Sequence, residues 1–230
     1  MTGALANAVV IGATGGIGAA LADAIEEEGA SVLRLGRSLT GAGHIDIEDE
    51  ASIAAAAARI GSPALVIVAT GLLHEGDRRP EKAMAELDPA WLMRQFQVNA
   101  IGPALVAKHV LPVMPRTGRT VFAVMSARIG SIGDNRLGGW YGYRAAKAAL
   151  NQLIRTLAIE HKRRNDRSIV VGLHPGTVDT GLSKPFQANV ARDQLFTPDR
   201  AAVQLLDVID GLKAPDTGKL FDWQGHEITP

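Results

Sequence analysis

Short apolar segments alternate along the chain with longer, alanine-rich segments, and this alternation is the main structural signal in the sequence. The short segments are rich in β-branched residues, which favour strands. Several are apolar on both faces, as expected for strands that helices cover on both sides. The predicted strands are residues 8–11, 31–35, 64–69, 120–125, 168–173 and 219–223, with a weaker one at 44–47.

The longer segments have the period of helices and are predicted to be helical at GIGAALADAIEEEG, EASIAAAAARIG and AAKAALNQLIRTLAIEHKRR. In the last of these, one buried stripe follows the spacing i, i+3, i+4 and i+7 through Leu150, Leu153, Ile154 and Leu157. Strands alternating with helices predict an α/β fold, a Rossmann-type doubly wound parallel sheet of about seven strands with helices on both faces. Because no break in composition divides the chain, we predict a single domain over residues 1–230.

Composition and charge exclude several functional classes. With 24 basic and 24 acidic residues the formal net charge is zero, so we expect no nucleic-acid partner held by backbone charge. The absence of cysteine excludes disulfides, thiolate catalysis and cysteine-ligated zinc, and the six histidines lack metal-ligand spacing. No apolar stretch approaches ~18 residues and no basic segment precedes the first apolar run. We therefore expect a cytoplasmic protein without a membrane partner.

A glycine-rich turn follows the first predicted strand. The segment VVIGATGGIGAALADAI places Gly12, Gly16 and Gly18 between this strand and the first helix. Glycines let a pyrophosphate approach the backbone, and a helix N-terminus offers free N–H groups and the positive end of its dipole. The segment therefore predicts a dinucleotide-binding turn, although glycines also serve ordinary turns and helix packing.

The end of the second predicted strand bears on the choice of cofactor. A cofactor with a free ribose diol is usually matched by an acidic residue about 20 residues beyond the glycines. Gly36 takes that place and Arg37 follows it. Because a guanidinium can bind a 2′-phosphate through two hydrogen bonds, Arg37 favours NADP over NAD. The alternative is an ordinary surface arginine at the end of a strand.

The only two tyrosines, Tyr141 and Tyr143, stand at the start of the longest predicted helix. Lys147 lies four residues after Tyr143 on the same helical face, whereas Ala145 takes that place for Tyr141. A phenol has a pKa of about 10, and a nearby ammonium lowers it by favouring the phenolate. The pair predicts a tyrosine that exchanges a proton with a carbonyl or alcohol oxygen. A surface neighbour pair is the alternative, since the spacing is common.

Five motifs together resemble the short-chain dehydrogenase/reductase family, and the resemblance covers the family's core from end to end. They are GATGGIG at 12–18, HIDIEDE at 44–50, VNAIGP at 98–103, YGYRAAKAALN at 141–151 and HPGTVDTG at 174–181. The stretch at 126–151 further resembles the C-factor and sniffer-like carbonyl reductase branch of that family.

The resemblance implies an NADP(H)-dependent oxidoreductase that interconverts a ketone or aldehyde and an alcohol by hydride transfer. Tyr143 would be the general acid/base. Lys147 would lower its pKa and hold the nicotinamide ribose, and Asn99 would hold a water that links Lys147 to solvent. Residues 182–196 would form a substrate lid, in which Phe186 and Phe196 either line an apolar pocket or pack the core.

The resemblance also implies which residues contact the cofactor. Asp46 would face the adenine with Ile47 beside it, and the turn that begins at Pro175 would receive the nicotinamide. The predicted cofactor-binding residues are Gly12, Thr14, Gly15, Gly16, Ile17, Gly18, Arg37, Asp46, Ile47, Ala69, Thr70, Gly71, Lys147, Pro175, Gly176, Val178 and Thr180.

The chain departs from the family's pattern at several positions. Ala127 replaces the catalytic serine at the end of the fifth predicted strand, and its neighbours Ser126 and Ser131 carry the nearest hydroxyls. On a strand Ser126 would point to the opposite face from residue 127, so Ser126, Ser131 or neither supplies the missing group, and we favour Ser126. The family's N-N-A-G reads Val68 to Gly71 here, and Ile11 replaces the threonine that opens its glycine motif.

These departures leave two functions open. The first is the NADP(H)-dependent oxidoreductase acting on a small-molecule carbonyl or alcohol. The second is a nucleotide-binding signalling or regulatory protein that keeps the fold and has lost efficient turnover. Too few residues follow the predicted lid to form the substrate domain of the longer epimerases and dehydratases. The family implies a homodimer or homotetramer.

Overall fold

A six-stranded parallel sheet forms the centre of the computed structural model, which describes residues 7–230 apart from the side chains of Asn189 and Arg192. Residues 1–6 of the predicted domain lie outside this range. In pairing order the strands are β2 (Ser31–Leu35), β1 (Asn7–Ile11), β3 (Leu65–Val68), β4 (Thr120–Met125), β5 (Ser168–His174) and β8 (Leu220–Asp222). A second, two-stranded parallel sheet pairs β6 (Thr177–Val178) with β7 (Leu195–Phe196).

Within the described range, six α-helices lie between or beside these strands. They are α1 (Gly16–Glu27), α2 (Glu50–Ala57), α3 (Pro89–Phe96), α4 (Gly102–Val110), α5 (Tyr141–Lys162) and α6 (Pro198–Gly211). A π-helical segment, Gln97–Ile101, joins α3 directly to α4.

The helices cover the two faces of the sheet in separate layers. On one face Leu21 of α1 and Leu205 of α6 pack with Val10 of β1. On the other face Ile53 of α2 and Leu150 of α5 pack in one cluster with strand residues. Since β3 and β4 are buried at every position, each face of these strands meets a helix layer, which explains their unbroken apolar sequences. The predicted doubly wound fold class is confirmed.

The predicted strand at residues 44–47 is wrong. Only an isolated bridge between Gly36 and His44 forms there, so the main sheet has six strands. Ile45 and Ile47 are buried in the cluster that holds α2 and α5. Their alternation with polar residues therefore reflects two side chains inserted into the core from a loop, without a ladder of backbone hydrogen bonds.

The strand order creates an opening at one edge of the sheet. From β1 the chain moves to β2 on one side and then crosses to β3 on the other. The connections on either side of this switch point diverge, which leaves a crevice beyond the carboxyl ends of β1 and β3. Ligands of doubly wound sheets bind in this position.

Candidate active site

The crevice at the switch point contains two adjoining cavities, of about 380 Å³ and about 650 Å³. We call the smaller one the outer cavity and the larger one the inner cavity. Both are lined by Gly15 and by residues 69–72, so together they form one elongated groove. Of the predicted cofactor-binding residues, every one except Gly18 lines at least one of the two cavities.

The glycine-rich turn is built by close backbone approaches that a side chain would block. Gly12 has a φ of +87°, and a Cβ there would lie 2.8 Å from the carbonyl oxygen of Ala69. A Cβ on Gly18 would lie 2.2 Å from the carbonyl oxygen of Gly12, so Gly18 lets α1 pack against the turn without reaching the cavities. A Cβ on Gly16 would lie 2.7 Å from Thr180 Cγ2.

These features fit a dinucleotide. The start of α1 faces the groove at Gly15, the residue that precedes the helix. No side chain caps this end of the helix, so its first-turn N–H groups are available to a phosphate. Thr70 lines both cavities, and its buried Oγ1 has no hydrogen-bond partner among the described residues. An unpaired buried hydroxyl is costly unless a ligand uses it.

Charged residues surround the outer cavity and pair with one another. Arg37 is 69% exposed, and its Nη1 lies 3.4 Å from Glu48 Oε1. Arg94 also contacts Glu48, and its Nη2 lies 2.8 Å from Glu75 Oε1. Asp46 lines the same cavity and accepts a hydrogen bond from the backbone N–H of Glu48. Arg37 therefore lines the outer cavity with a carboxylate as its neighbour.

Tyr143 and Lys147 lie one turn apart on α5, and both side chains line the inner cavity. Both are almost completely buried. The Nζ of Lys147 donates a hydrogen bond of 2.8 Å to the carbonyl oxygen of Met125, at the end of β4. It also lies 5.7 Å from the centroid of the Tyr143 ring. The two groups therefore share one pocket with the glycine turn.

Burial controls the protonation of this pair. It raises the pKa of the Tyr143 phenol above its ordinary value, and it lowers the pKa of the Lys147 ammonium to about 7. The sequence predicted a lowered tyrosine pKa because it showed a nearby ammonium. The structure differs because the same apolar surroundings disfavour both charged forms, and the Lys147 ammonium is directed to the Met125 carbonyl.

Asn99 is fully buried in the π-helical segment and bonds to the loop after β3. Its Oδ1 accepts a hydrogen bond of 3.0 Å from the N–H of Leu72, and its Nδ2 donates to the Leu72 carbonyl at 2.7 Å. The Nδ2 also donates to Gln95 Oε1 at 2.9 Å. The Asn99 side chain therefore holds the loop that lines both cavities, and it makes no hydrogen bond to Lys147.

The two candidate serines differ in their surroundings. Ser126 lines the inner cavity, and its Oγ donates a hydrogen bond of 2.6 Å to Asn151 Oδ1 on α5. Ser131 donates to the carbonyl oxygen of Thr229 and is absent from the lining of either cavity. Ala127 packs against Tyr143 with its methyl group. Ser126 is thus the candidate that adjoins the cavity, although its hydroxyl is engaged elsewhere.

Aromatic side chains form a wall of the inner cavity, and two of them, Trp140 and His74, were not singled out in the sequence. The ring of Trp140 lies 5.1 Å from that of Phe186 and 6.4 Å from that of Tyr143. The ring of His74 lies 5.9 Å from that of Phe186 and is tilted by 58° against it. Phe186 therefore lines the pocket. Phe196, by contrast, packs in the core at 4.7 Å from Trp223. The position of Trp140 directly before α5 is the one local feature of the sequence that could have indicated its place in this wall.

Other lining residues were also missed because only folding brings them to the site. Leu73, Ile129 and His174 all line the inner cavity. Burial lowers the pKa of His174 to about 4, so its imidazole is neutral near pH 7. Residues 184–189 and 192–194 of the predicted lid form short 3₁₀ helices, and Leu182, Phe186 and Val190 bring this segment over the cavity.

Residues 7–230 contain no group of three or more histidine, aspartate or glutamate residues arranged to hold a metal ion. None of their helices is both long enough and apolar enough to cross a membrane.

Comparisons with known proteins place the chain among the short chain dehydrogenases. The family model for the short chain dehydrogenases matches residues 6–191. The chain is 29% identical to a 1-hydroxy-2-glutathionyl-2-methyl-3-butene dehydrogenase of Rhodococcus sp. (strain AD45), covering 94% of this chain and 95% of that protein. It is 35% identical to the C-signal protein of Myxococcus xanthus, covering 64% of this chain and 82% of that protein.

Among solved structures, the fold is similar to an NADPH-bound carbonyl reductase from chicken fatty liver. The TM-score is 0.82 at 21% identity, and the match covers 98% of this chain and 94% of that one. At this identity the likeness establishes the fold.

Proposed function

Because the chain belongs to the short chain dehydrogenase family, we propose that it is an NADP(H)-dependent oxidoreductase that interconverts a ketone or aldehyde and an alcohol. The observation that carries the proposal is the composition of the inner cavity. The same cavity is lined by Tyr143, Lys147 and the glycine turn at Gly15 and Gly16. A nicotinamide and a proton-transferring phenol would therefore meet in one pocket.

The groove offers a distinct contact for each part of the cofactor. The start of α1 would bind the pyrophosphate, and Arg37 would bind the 2′-phosphate. The turn from Pro175 to Thr180 lines the inner cavity and would hold the nicotinamide. When bound, the nicotinamide supplies or accepts hydride at the substrate carbon. The solved neighbour from chicken fatty liver binds NADPH, which favours NADP for this chain as well.

Tyr143 would exchange the proton on the substrate oxygen. A raised pKa keeps the phenol protonated near neutral pH, which is the state that carbonyl reduction needs. As the phenol gives up its proton, the nearby Lys147 ammonium would stabilise the phenolate that forms. In the oxidation direction Tyr143 must start as the phenolate, so this direction is favoured at higher pH.

Ser126 and Asn99 have supporting roles in the proposal. Ser126 would donate a hydrogen bond to the substrate oxygen after exchanging its present bond to Asn151 Oδ1. The Asn99 side chain keeps the Leu72 loop in contact with both cavities. Asn99 would also hold the water that links Lys147 to solvent. The proposal thus assigns Asn99 a part in shaping the groove as well as in proton supply.

The direct test removes the Tyr143 hydroxyl. We expect Tyr143→Phe to lower kcat for NADPH-dependent reduction by at least ~10²-fold with the most reactive member of a panel of aliphatic and aromatic aldehydes and ketones. The NADPH Kd, measured by fluorescence titration, should stay within about twofold, since the phenol binds the substrate side of the site.

The matched control is Tyr141→Phe, which removes the other phenol of the chain. Tyr141 is partly exposed and lines neither cavity, so the control should keep full turnover. Retained turnover in Tyr143→Phe would refute the assigned role.

A regulatory function is the second candidate, and the serine position favours it. Ala127 presents a methyl group to Tyr143, and the Ser126 hydroxyl is already bonded to Asn151. The similarity to the C-signal protein favours the same alternative. Tight NADPH binding without turnover on any carbonyl of the panel would support this function over the first.

A further inference from the structure

Glu81 is a buried carboxylate in the loop between β3 and α3 and has no part in the chemistry proposed above. Glu81 is only 2% exposed to solvent. The Oε1 atom is buried and accepts no hydrogen bond from the described residues. Burying a carboxylate with an unpaired oxygen is costly, so a residue of this kind requires an explanation.

The start of α5 needs the groups that Glu81 provides. The residue before the helix, Trp140, makes no side-chain cap and has a left-handed backbone with φ of 53°. Gly138 and Gly139, which precede it, also have positive φ. A helix that starts in this way leaves its first N–H groups without internal partners, and such groups must be satisfied from elsewhere.

Glu81 satisfies two of these donors. The N–H of Trp140 donates to the Glu81 carbonyl oxygen at 2.5 Å, and the N–H of Gly142 donates to Glu81 Oε2 at 3.2 Å. The backbone and the side chain of one residue therefore hold both sides of the helix start. A carboxylate also suits this place because the N-terminal end of a helix is electrostatically positive.

Gly142 is shaped to receive this carboxylate. A Cβ at Gly142 would lie 3.0 Å from Glu81 Oε1 and 3.2 Å from Gln95 Cγ. Gln95 in turn accepts the hydrogen bond from Asn99, which holds the Leu72 loop. Glu81 thus lies where the start of α5 meets the side chains that shape the groove.

We infer that Glu81 is a positioning residue for Tyr143, an inference that rests on the function proposed above. Tyr143 directly follows Gly142, and the ring of Trp140 lies 6.4 Å from the ring of Tyr143. We call the two hydrogen bonds from Trp140 and Gly142 to Glu81 the Glu81 clamp. By fixing the residues on either side of Tyr141, this clamp sets the direction in which the Tyr143 phenol enters the inner cavity. A clamp at this position affects proton transfer more than it affects cofactor binding.

The test compares three variants with the wild type. Glu81→Ala removes the side-chain acceptor, Glu81→Gln retains one acceptor oxygen, and Gly142→Ala adds a methyl group against Glu81 Oε1. We expect Glu81→Ala to lower kcat by about tenfold or more, because small misplacements of a reacting group are expensive. The NADPH Kd should stay within about twofold and Glu81→Gln should recover to within about fivefold of the wild type.

Glu86→Ala is the matched control. Glu86 lies in the same loop, and its side chain accepts the N–H of Lys82 and makes no described hydrogen bond to α5. It should leave kcat, KM and the NADPH Kd unchanged. Amide hydrogen exchange should be faster at Gly142 in Glu81→Ala and unchanged in the control.

Several results would overturn the inference. One is a kcat of Glu81→Ala within about twofold of the wild type. Another is a rise in the NADPH Kd of Glu81→Ala as large as its loss of kcat. The third is a kcat of Glu81→Gln as low as that of Glu81→Ala. If Glu81→Ala does not fold, Gly142→Ala decides, because alanine is the better helix former and a loss of kcat in a folded variant reports on the clamp. Full kcat in Gly142→Ala would then overturn the inference.

The proposed function and this inference fail separately. If Tyr143→Phe keeps its turnover, the proposed function fails whatever Glu81 does. If Tyr143→Phe is inactive and Glu81→Ala is fully active, only the inference fails.

Discussion

The outer and inner cavities of the groove differ in how they treat charge. Around the outer cavity, Arg37, Glu48, Arg94 and Glu75 are partly exposed and compensate one another in ion pairs. Around the inner cavity, Lys147 and Tyr143 are buried, and no carboxylate pairs with the Lys147 ammonium among the described residues. Solvent and counter-charges weaken electrostatic effects in the first region and leave them strong in the second.

This difference indicates that the outer cavity governs cofactor binding and the inner cavity governs turnover. Substitutions at the outer cavity should change which cofactor binds and how tightly, by small amounts that depend on salt. Substitutions at the inner cavity should change turnover and stability by large amounts, because buried charges are costly to keep.

Lys147→Met should separate activity from stability. We expect kcat to fall by at least ~10²-fold, because no ammonium remains to stabilise the Tyr143 phenolate. At pH 7 the free energy of unfolding should rise by about 2 kcal/mol, since the variant no longer buries a charge. The gain is limited because the Met125 carbonyl loses its donor. Urea denaturation followed by circular dichroism measures the change.

The sign of the pH dependence follows from the same lysine. In the folded protein its pKa is lowered to about 7, whereas the unfolded chain releases this proton near the ordinary value of about 10.4. Between these values the unfolded state binds the extra proton, so wild-type stability should rise with pH across this window. Lys147→Met should lack that rise. A wild-type stability that is flat or falls from pH 7 to 9 would contradict the burial argument.

Arg37→Ala should change cofactor preference at the outer cavity. Loss of an exposed guanidinium that binds a 2′-phosphate should raise the NADPH Kd by about tenfold and leave the NADH Kd within about twofold. Fluorescence titration at two salt concentrations measures both. Arg78→Ala is the control, since Arg78 pairs with Asp88 and lines neither cavity. Equal losses for both cofactors would discredit the role of Arg37.

Glu48→Gln should have the smallest effect and the opposite sign. Glu48 is the carboxylate beside Arg37, so its neutralisation removes a competitor and a repulsive charge for the 2′-phosphate. We expect the NADPH Kd to fall by about two- to threefold at low salt, with no change in kcat. A weaker NADPH affinity would mean that Glu48 chiefly holds Arg37 and Arg94 in place.

The sequence predicted the parts of the molecule that depend on local patterns. The turn from β1 into α1 and the spacing of Tyr143 and Lys147 are short-range features, and the fold class followed from repeated strand–helix units. The extra strand at residues 44–47 was a wrong interpretation of real alternation, because a period of two does not distinguish a paired strand from a loop that inserts two isoleucines into the core.

The remaining features depend on contacts between distant segments. Glu81 meets Gly142 and His74 meets Gly181 only after the chain has folded, and no spacing in the sequence indicates either contact. The pKa of Tyr143 shows the same limit. The sequence displayed the cation near the phenol, whereas the burial that outweighs it comes from the surrounding side chains.

The short ladder between β6 and β7 has a consequence for how this molecule can diversify. Thr177 pairs with Leu195 and Val178 with Phe196, so the chain leaves and re-enters the body of the protein at adjacent points. Lengthening a loop whose ends are already joined costs little free energy. Insertions or new side chains in the segment at 181–194 should therefore change the cover of the inner cavity and leave the main sheet and α5 in place.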